Sequence, residues 1–219
     1  MSAKKTVTAK TAGQRGASRV RQLVWLAVGA VVLVAASMGT KVVPLEQVKS
    51  DVFSPAEYGK KDFPRIQGLI EKAAVDAKEL SAAIAADKAA AAEKFGKPGS
   101  VGPIFPVKFT GVVGEGSSGV FKVKVEGMPE GTTIRVQTGP AINGTEVRDA
   151  TGTIDFGQFT NQIEYQDAGS ALNNEVKSQV IGELDREKLP GKTVEVVGAF
   201  QLINPANWMV TPVRFKVAP

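Results

Sequence analysis

The sequence predicts an α+β chain: an OB-like small β-barrel with an inserted helix, preceded by a long helix and one N-terminal transmembrane segment. Three observations predict it. An uncharged apolar run lies near the N-terminus, and a helical hydrophobic period then runs as far as Gly96. Beyond Gly96 the period changes to two, and a single second helical pattern interrupts it. Several strands, one helix and two more strands is the element order of an oligonucleotide/oligosaccharide-binding barrel, a small Greek-key barrel.

The apolar run is residues 23–40, LVWLAVGAVVLVAASMGT, without a charge. Eighteen residues at a helical rise span about 27 Å, and adding Val42 and Val43, with Lys41 snorkelling, completes a hydrocarbon core of about 30 Å. Trp25 stands near one end, where interfacial aromatics are favoured. Residues 1–22 hold Lys4, Lys5, Lys10, Arg15, Arg19 and Arg21 and no acid, so the positive-inside rule keeps them in the cytoplasm. The expected organisation is a basic cytoplasmic tail (1–22), an anchor (23–43), a linker (44–63), a long amphipathic helix (64–96) and the barrel domain (97–219). The expected location is a bacterial inner membrane, single-pass, with the C-terminal domain in the periplasm. A cleaved signal peptide, with small residues at Ala35, Ala36 and Ser37, is the competing reading and would release a secreted domain.

Charge and composition narrow the function classes. Of 27 basic residues six lie in the tail, which leaves 21 against 22 acidic ones, so the folded part is close to neutral. That argues against nucleic acid as a partner, because such binding draws its strength from Lys and Arg on phosphates. The sequence has no Cys and no His. It therefore lacks a thiol nucleophile, a disulfide, the usual general base and the commonest transition-metal ligand. No cofactor or metal is expected.

Between Pro64 and Gly96, Ile66, Ile70, Ala73, Ala77, Leu80 and Ile84 recur at steps of four and three, an apolar stripe on one helix face. Pro64 suits a first helical turn and Gly96 a stop. The stripe is either a coiled-coil seam, which would make a homo-oligomer, or the inner face of a helix folded onto its own domain. In the β-rich part, Val107, Phe109 and Val112 begin a strand, and Phe121, Val123 and Val125 alternate with polar residues in the next. Further strands are predicted at 132–138, and short β segments around Glu146 and over 153–156. A helix over 167–188 carries Leu172, Val176, Val180 and Leu184 on one face. Strands over 193–202 and 208–217 are joined at Asn204-Pro205-Ala206-Asn207, and Pro212 marks an edge or a bulge.

Two short motifs resolve into turns. Gly114, Gly116 and Gly119 match G-x-G-x-x-G, but an alternating strand follows where a phosphate cradle needs a helix, so a hairpin turn is expected. Asn143-Gly144-Thr145 reads as a tight turn with positive φ rather than a glycosylation site.

The densest polar stretch is residues 139–165, where Asn143, Arg148, Asp149, Asn161 and Gln162 mingle with Phe156, Phe159 and Tyr165. Amides, a guanidinium and a carboxylate among aromatic faces suit a small polar ligand or a protein contact. The candidate binding residues are Arg148, Asp149, Asn161, Gln162, Asn143 and Phe159. The competing reading is a structural network that satisfies turns and caps. Asp149 and Asp155 offer a carboxylate pair of the glycosidase kind, but nothing in the pattern sets their separation, and the chain is read as a non-enzyme.

The chain resembles a bacterial family of predicted periplasmic lipoproteins of unknown function. The resemblance lies in Gly139-Pro140, Gly144-Thr145, Arg148-Asp149-Ala150, Phe156, Phe159-Thr160-Asn161-Gln162-Ile163, Leu172-Asn173, Gly198-Ala199-Phe200 and Thr211-Pro212-Val213. It implies an envelope protein, in a family often found by gene neighbourhood beside sugar ABC transporters. The expected partner is a transporter permease or its solute-binding protein, and the resemblance assigns no functional residue. A lipoprotein needs a cysteine, which this sequence lacks, so the apolar segment must anchor it. The expected role is a membrane-anchored accessory or binding module; the alternatives are an assembly protein oligomerising through the long helix and a carbohydrate-active enzyme.

Overall fold

In a computed structural model the protein is described over residues 53–218, together with Trp25. The expected tail and anchor, apart from Trp25, and residues 44–52 of the linker lie outside the described residues. Among the described residues no helix is long and apolar enough to cross a membrane.

The chain enters through helix α1 (Pro55–Ala73), strand β1 (Val75–Asp76) and helices α2 (Ala77–Ala86) and α3 (Lys88–Phe95). The barrel strands β2 (Ile104–Ser117), β3 (Val120–Lys124) and β4 (Thr133–Gln137) follow. Helices α4 (Glu146–Asp149) and α5 (Gln162–Glu175) come next, then β5 (Thr193–Gln201) and β6 (Asn207–Val217). Strand order is β1-β2-β3-β4-β6-β5, and β2 also pairs with β5, which closes the sheet. All pairings around the barrel are antiparallel except β4 with β6, where Ile134 lies opposite Trp208. Closure depends on the length of β2. Residues 104–112 pair with β5 and residues 112–117 with β3, so one curved strand spans two neighbours.

Two cores result. Alternate residues of β2, β5 and β6, among them Phe105, Val107, Val196, Phe200 and Trp208, fill the barrel, which Leu80, Ile84 and Ala91 of α2 and α3 cap. The opposite faces of β5 and β6 send Val197, Ala199 and Val213 outward against Ile66 and Ile70 of α1, Leu172 of α5 and Val176 just beyond it. The α1–α5 approach is close: a Cβ on Gly59 would sit 3.0 Å from the Ala171 carbonyl oxygen.

This overturns the single helix expected over 64–96 and, over 55–63, the expected linker. Helix α1 starts nine residues earlier, with Pro55 in its first turn, and Pro64 lies inside it. The expected helix is cut twice by aspartates acting as N-caps. Asp76 accepts from the Lys78 N–H, and Asp87 from those of Ala89 and Ala90. The apolar stripe is cut with it, so Ile66 and Ile70 serve the outer core while Ala77, Leu80 and Ile84 serve the barrel. The stripe folds onto its own domain, and its large apolar side chains are not free to form a coiled-coil seam.

Three smaller corrections follow. A one-turn helix occupies 146–149, where β was expected, and residues 156–158 form a 3₁₀ turn. Buried Val147 and Ala150 explain the former, because packing outweighs the β preference of Val. Helix α5 begins at Gln162, not Asp167, and passes into a π turn over Val176–Val180. Of the two expected settings for Pro212 the bulge is the one found, opposite Gly198 between β5 and β6. The glycine motif is a two-residue hairpin turn, with φ of 53° at Ser118 and 78° at Gly119. A Cβ at Gly119 would fall 1.2 Å from the Gly139 carbonyl oxygen, so no other residue fits.

Candidate functional site

Helix α4 presents Arg148 and Asp149 to the first turns of α5. The Arg148 guanidinium donates to both Asp149 carboxylate oxygens, Nε to Oδ1 at 2.6 Å and Nη2 to Oδ2 at 3.0 Å. Its Nη1 donates to the Tyr165 carbonyl at 3.1 Å, and its plane lies 3.7 Å from the Tyr165 ring centroid. Arg148 is only 7% exposed, so the ion pair is largely withdrawn from solvent. The Tyr165 hydroxyl makes a long 3.4 Å contact to Asp149.

Aromatic rings extend this network. Phe159 lies 5.5 Å from Tyr165 and 5.7 Å from Tyr58 of α1, and Phe53 touches both Tyr58 and Phe159 at about 5.5 Å. Phe156 stands edge-on to Tyr165 at 5.8 Å. Burial, and after it the negative charge of Asp149, pushes the Tyr165 phenol above its ordinary range. Burial and Asp62 do the same for Tyr58, so both hydroxyls stay protonated near neutrality. Burial also holds the Glu146 carboxyl above the usual carboxylate range.

Of the six predicted binding residues, Arg148, Asp149 and Phe159 meet in this cluster, and Asn161 and Gln162 lie beside it. Asn161 is the N-cap of α5: its Oδ1 accepts from the Ile163 and Glu164 N–H groups, each at 3.0 Å. Glu164 reaches back to the Thr160 N–H at 2.9 Å, completing a reciprocal cap. Asn161→Ala should lower the unfolding free energy by about 1 kcal/mol in urea titrations, as loss of an N-cap does. Gln162 is exposed at the first turn. Asn143 lies elsewhere, in a hollow of about 220 Å³ against Asn173 near the end of α5 and Lys177 in the π turn after it. Gly144 beside it has the expected positive φ, 104°.

A larger concavity was not legible in the polar stretch. The ends of α1 and α3, Pro106 of β2 and residues 150–153 enclose a cleft of about 570 Å³. Leu69, Ala73, Phe95 and Pro106 supply apolar wall, and Lys72, Lys94 and Lys97 line it with one acid, Glu93. Its sequence signal is slight: Lys94 and Lys97 flank Phe95-Gly96, and Gly96 reads as a helix stop. Among the described residues no group of three or more His, Cys, Asp or Glu could hold a metal ion.

A family model described as "Predicted periplasmic lipoprotein (DUF2291)" matches residues 30–216. The chain belongs to this family. It is a family of unknown function and is not described as one of enzymes. An OB-fold protein from Thermotoga maritima, known from a crystal structure, superposes with a TM-score of 0.63. That match covers 77% of this chain and 100% of the other at 18% identity, a likeness of fold alone. Nothing among curated proteins matches. The family membership agrees with the resemblance, and the α+β barrel with the OB-like part of the expected fold class; three helices stand in place of the one long helix, and the expected transmembrane segment lies outside the described residues.

Proposed function

We propose that the protein is a non-enzymatic accessory module of the bacterial envelope, held at the outer face of the cytoplasmic membrane by residues 23–43. It presents the surface around residues 156–165 to a protein of a sugar or solute ABC transporter, either the permease or the solute-binding protein. One observation carries the contact surface: Ile163 is 71% exposed and Phe156 49% exposed. Both stand on a scaffold that the Arg148 network and the Asn161 cap make rigid. Large apolar groups on a preorganised support, ringed by amides such as Asn161 and Gln162, are the anatomy of a protein contact. Arg148 and Asp149 then act as positioning residues, and Phe159 supports Phe156 through Tyr165. Membership of a predicted periplasmic lipoprotein family supports the envelope setting; the choice of an uptake system rests on the family resemblance alone.

The test is a pull-down of the intact, detergent-extracted chain from its native membranes, with co-purifying chains identified by mass spectrometry. Recovery of a permease or solute-binding protein is expected, with at least tenfold less from an Ile163→Asp variant. That variant should keep its thermal midpoint, because an acid in the first turn of α5 suits the helix dipole. Undiminished recovery by the variant, or recovery of the chain itself alone, would reject the assignment.

A further inference from the structure

We infer that the cleft between the ends of α1 and α3 binds a small organic dianion, a phosphate monoester or a dicarboxylate. Its volume of about 570 Å³ lies within the range of about 300–1,000 Å³ typical of small-molecule sites. Three lysines line it against one glutamate, a net charge of +2. None of Lys72, Lys94 and Lys97 is within ion-pair distance of a carboxylate among the described residues. All three are exposed, so together they set up a positive, salt-screened potential over the concavity that draws a dianion.

Two of these lysines have an ordinary explanation. Lys72 and Lys94 lie in the last turns of α1 and α3, where a cation complements the helix dipole. Lys97 has none, because it follows the helix end. Its stem crosses Gly152, where a Cβ would stand 3.3 Å from the Lys97 Cδ, and Gly152 has a φ of 64°. The backbone bend there makes room for this lysine at the rim.

The remaining lining suits a compact organic body. Leu69 offers an apolar face, and the Phe95 ring carries the Lys94 ammonium 4.5 Å from its centroid. On the far wall the Thr151 and Thr153 hydroxyls lie 2.8 Å apart, and Arg65 donates to Thr153 at 3.2 Å. These groups can accept or donate to hydroxyls of a ligand. The cleft shares no lining residue with the surface at 156–165, although Gln158 Nε2 donates to the Thr153 carbonyl at 3.1 Å between them. Tyr58 and Ala73 mark the two regions on α1, and at a helical rise they are about 22 Å apart.

The full chain, purified in detergent at low salt, would be titrated calorimetrically with sn-glycerol 3-phosphate, with succinate, and with glycerol as the neutral control. Saturable binding of at least one dianion is expected, with no heat from glycerol. Preference for the first identifies phosphoryl recognition, and preference for the second carboxylate recognition. Lys97→Ala should weaken binding about tenfold, and the Lys72→Ala/Lys94→Ala/Lys97→Ala variant should abolish it with only a small fall in thermal midpoint, from the two lost helix-end cations. Absence of binding by both dianions, equal binding of glycerol, or binding that survives the triple substitution would each overturn the inference. Partner recovery in the pull-down does not involve these lysines, so either reading can fail alone.

Discussion

Arg148→Ala should lower the unfolding free energy by about 3 kcal/mol, the low end of the range for breaking a buried ion pair from one side. The substitution strips both donors from the Asp149 carboxylate and one from the Tyr165 carbonyl, and it empties the space against the Tyr165 ring. The carboxylate that remains is only partly reached by water, since the Asp149 side chain is 16% exposed. Arg148→Lys should recover less than half of the loss. An ammonium cannot donate in parallel to both oxygens while lying flat on the ring. Urea titrations with an unchanged slope would measure this. A loss below about 1 kcal/mol would mean that the pair behaves as if in solvent. Arg148 would then become a direct contact residue rather than a support.

Trp208→Ala should cost more, about 4 kcal/mol, a large part of the about 5–15 kcal/mol that holds a typical domain. Trp208 is 1% exposed and stacks on Phe200 at 4.5 Å between ring centroids with a 15° tilt. It sits opposite Ile134 in the parallel β4–β6 pairing that helps to close the barrel. Its Nε1 donates to the Pro205 carbonyl at 2.9 Å, so it also fixes the β5–β6 turn. Trp208→Phe would keep much of the stack and leave that carbonyl without its donor, for about 1–2 kcal/mol. Thermal melts of both variants should rank them in that order. Equal losses would show that the hydrogen bond, and not the ring, matters at this position.

The candidate site illustrates where reading a sequence stops. Arg148, Asp149 and Phe159 stood out because their types suit recognition, and they do meet, but largely with each other. Asn161 drew attention for the same reason and is the cap of α5. An amide has the same donors and acceptors whether it faces a ligand or a backbone N–H. Only the φ and ψ of its neighbours decide which. The two aspartates in the expected helix could have been recognised as caps, since an acid interrupting a run of helix formers is a start signal. The apolar period continues across both of them and hides that signal.

The sequence alone determined the local and periodic features: the apolar run at 23–40, the change from period 3.6 to period 2 at Gly96, the hairpin at Ser118-Gly119 and the turn at 204–207. Each depends on residues within a few positions of one another, where propensity and side-chain alternation act directly. The tertiary structure decided what depends on distant residues. It divided one apolar stripe between two cores and locked Arg148 between Asp149 and Tyr165. It also brought Lys72, 22 positions before Lys94 and 25 before Lys97, to the same cleft. No local pattern encodes such meetings, because they follow from how closed strands and packed helices leave space between them.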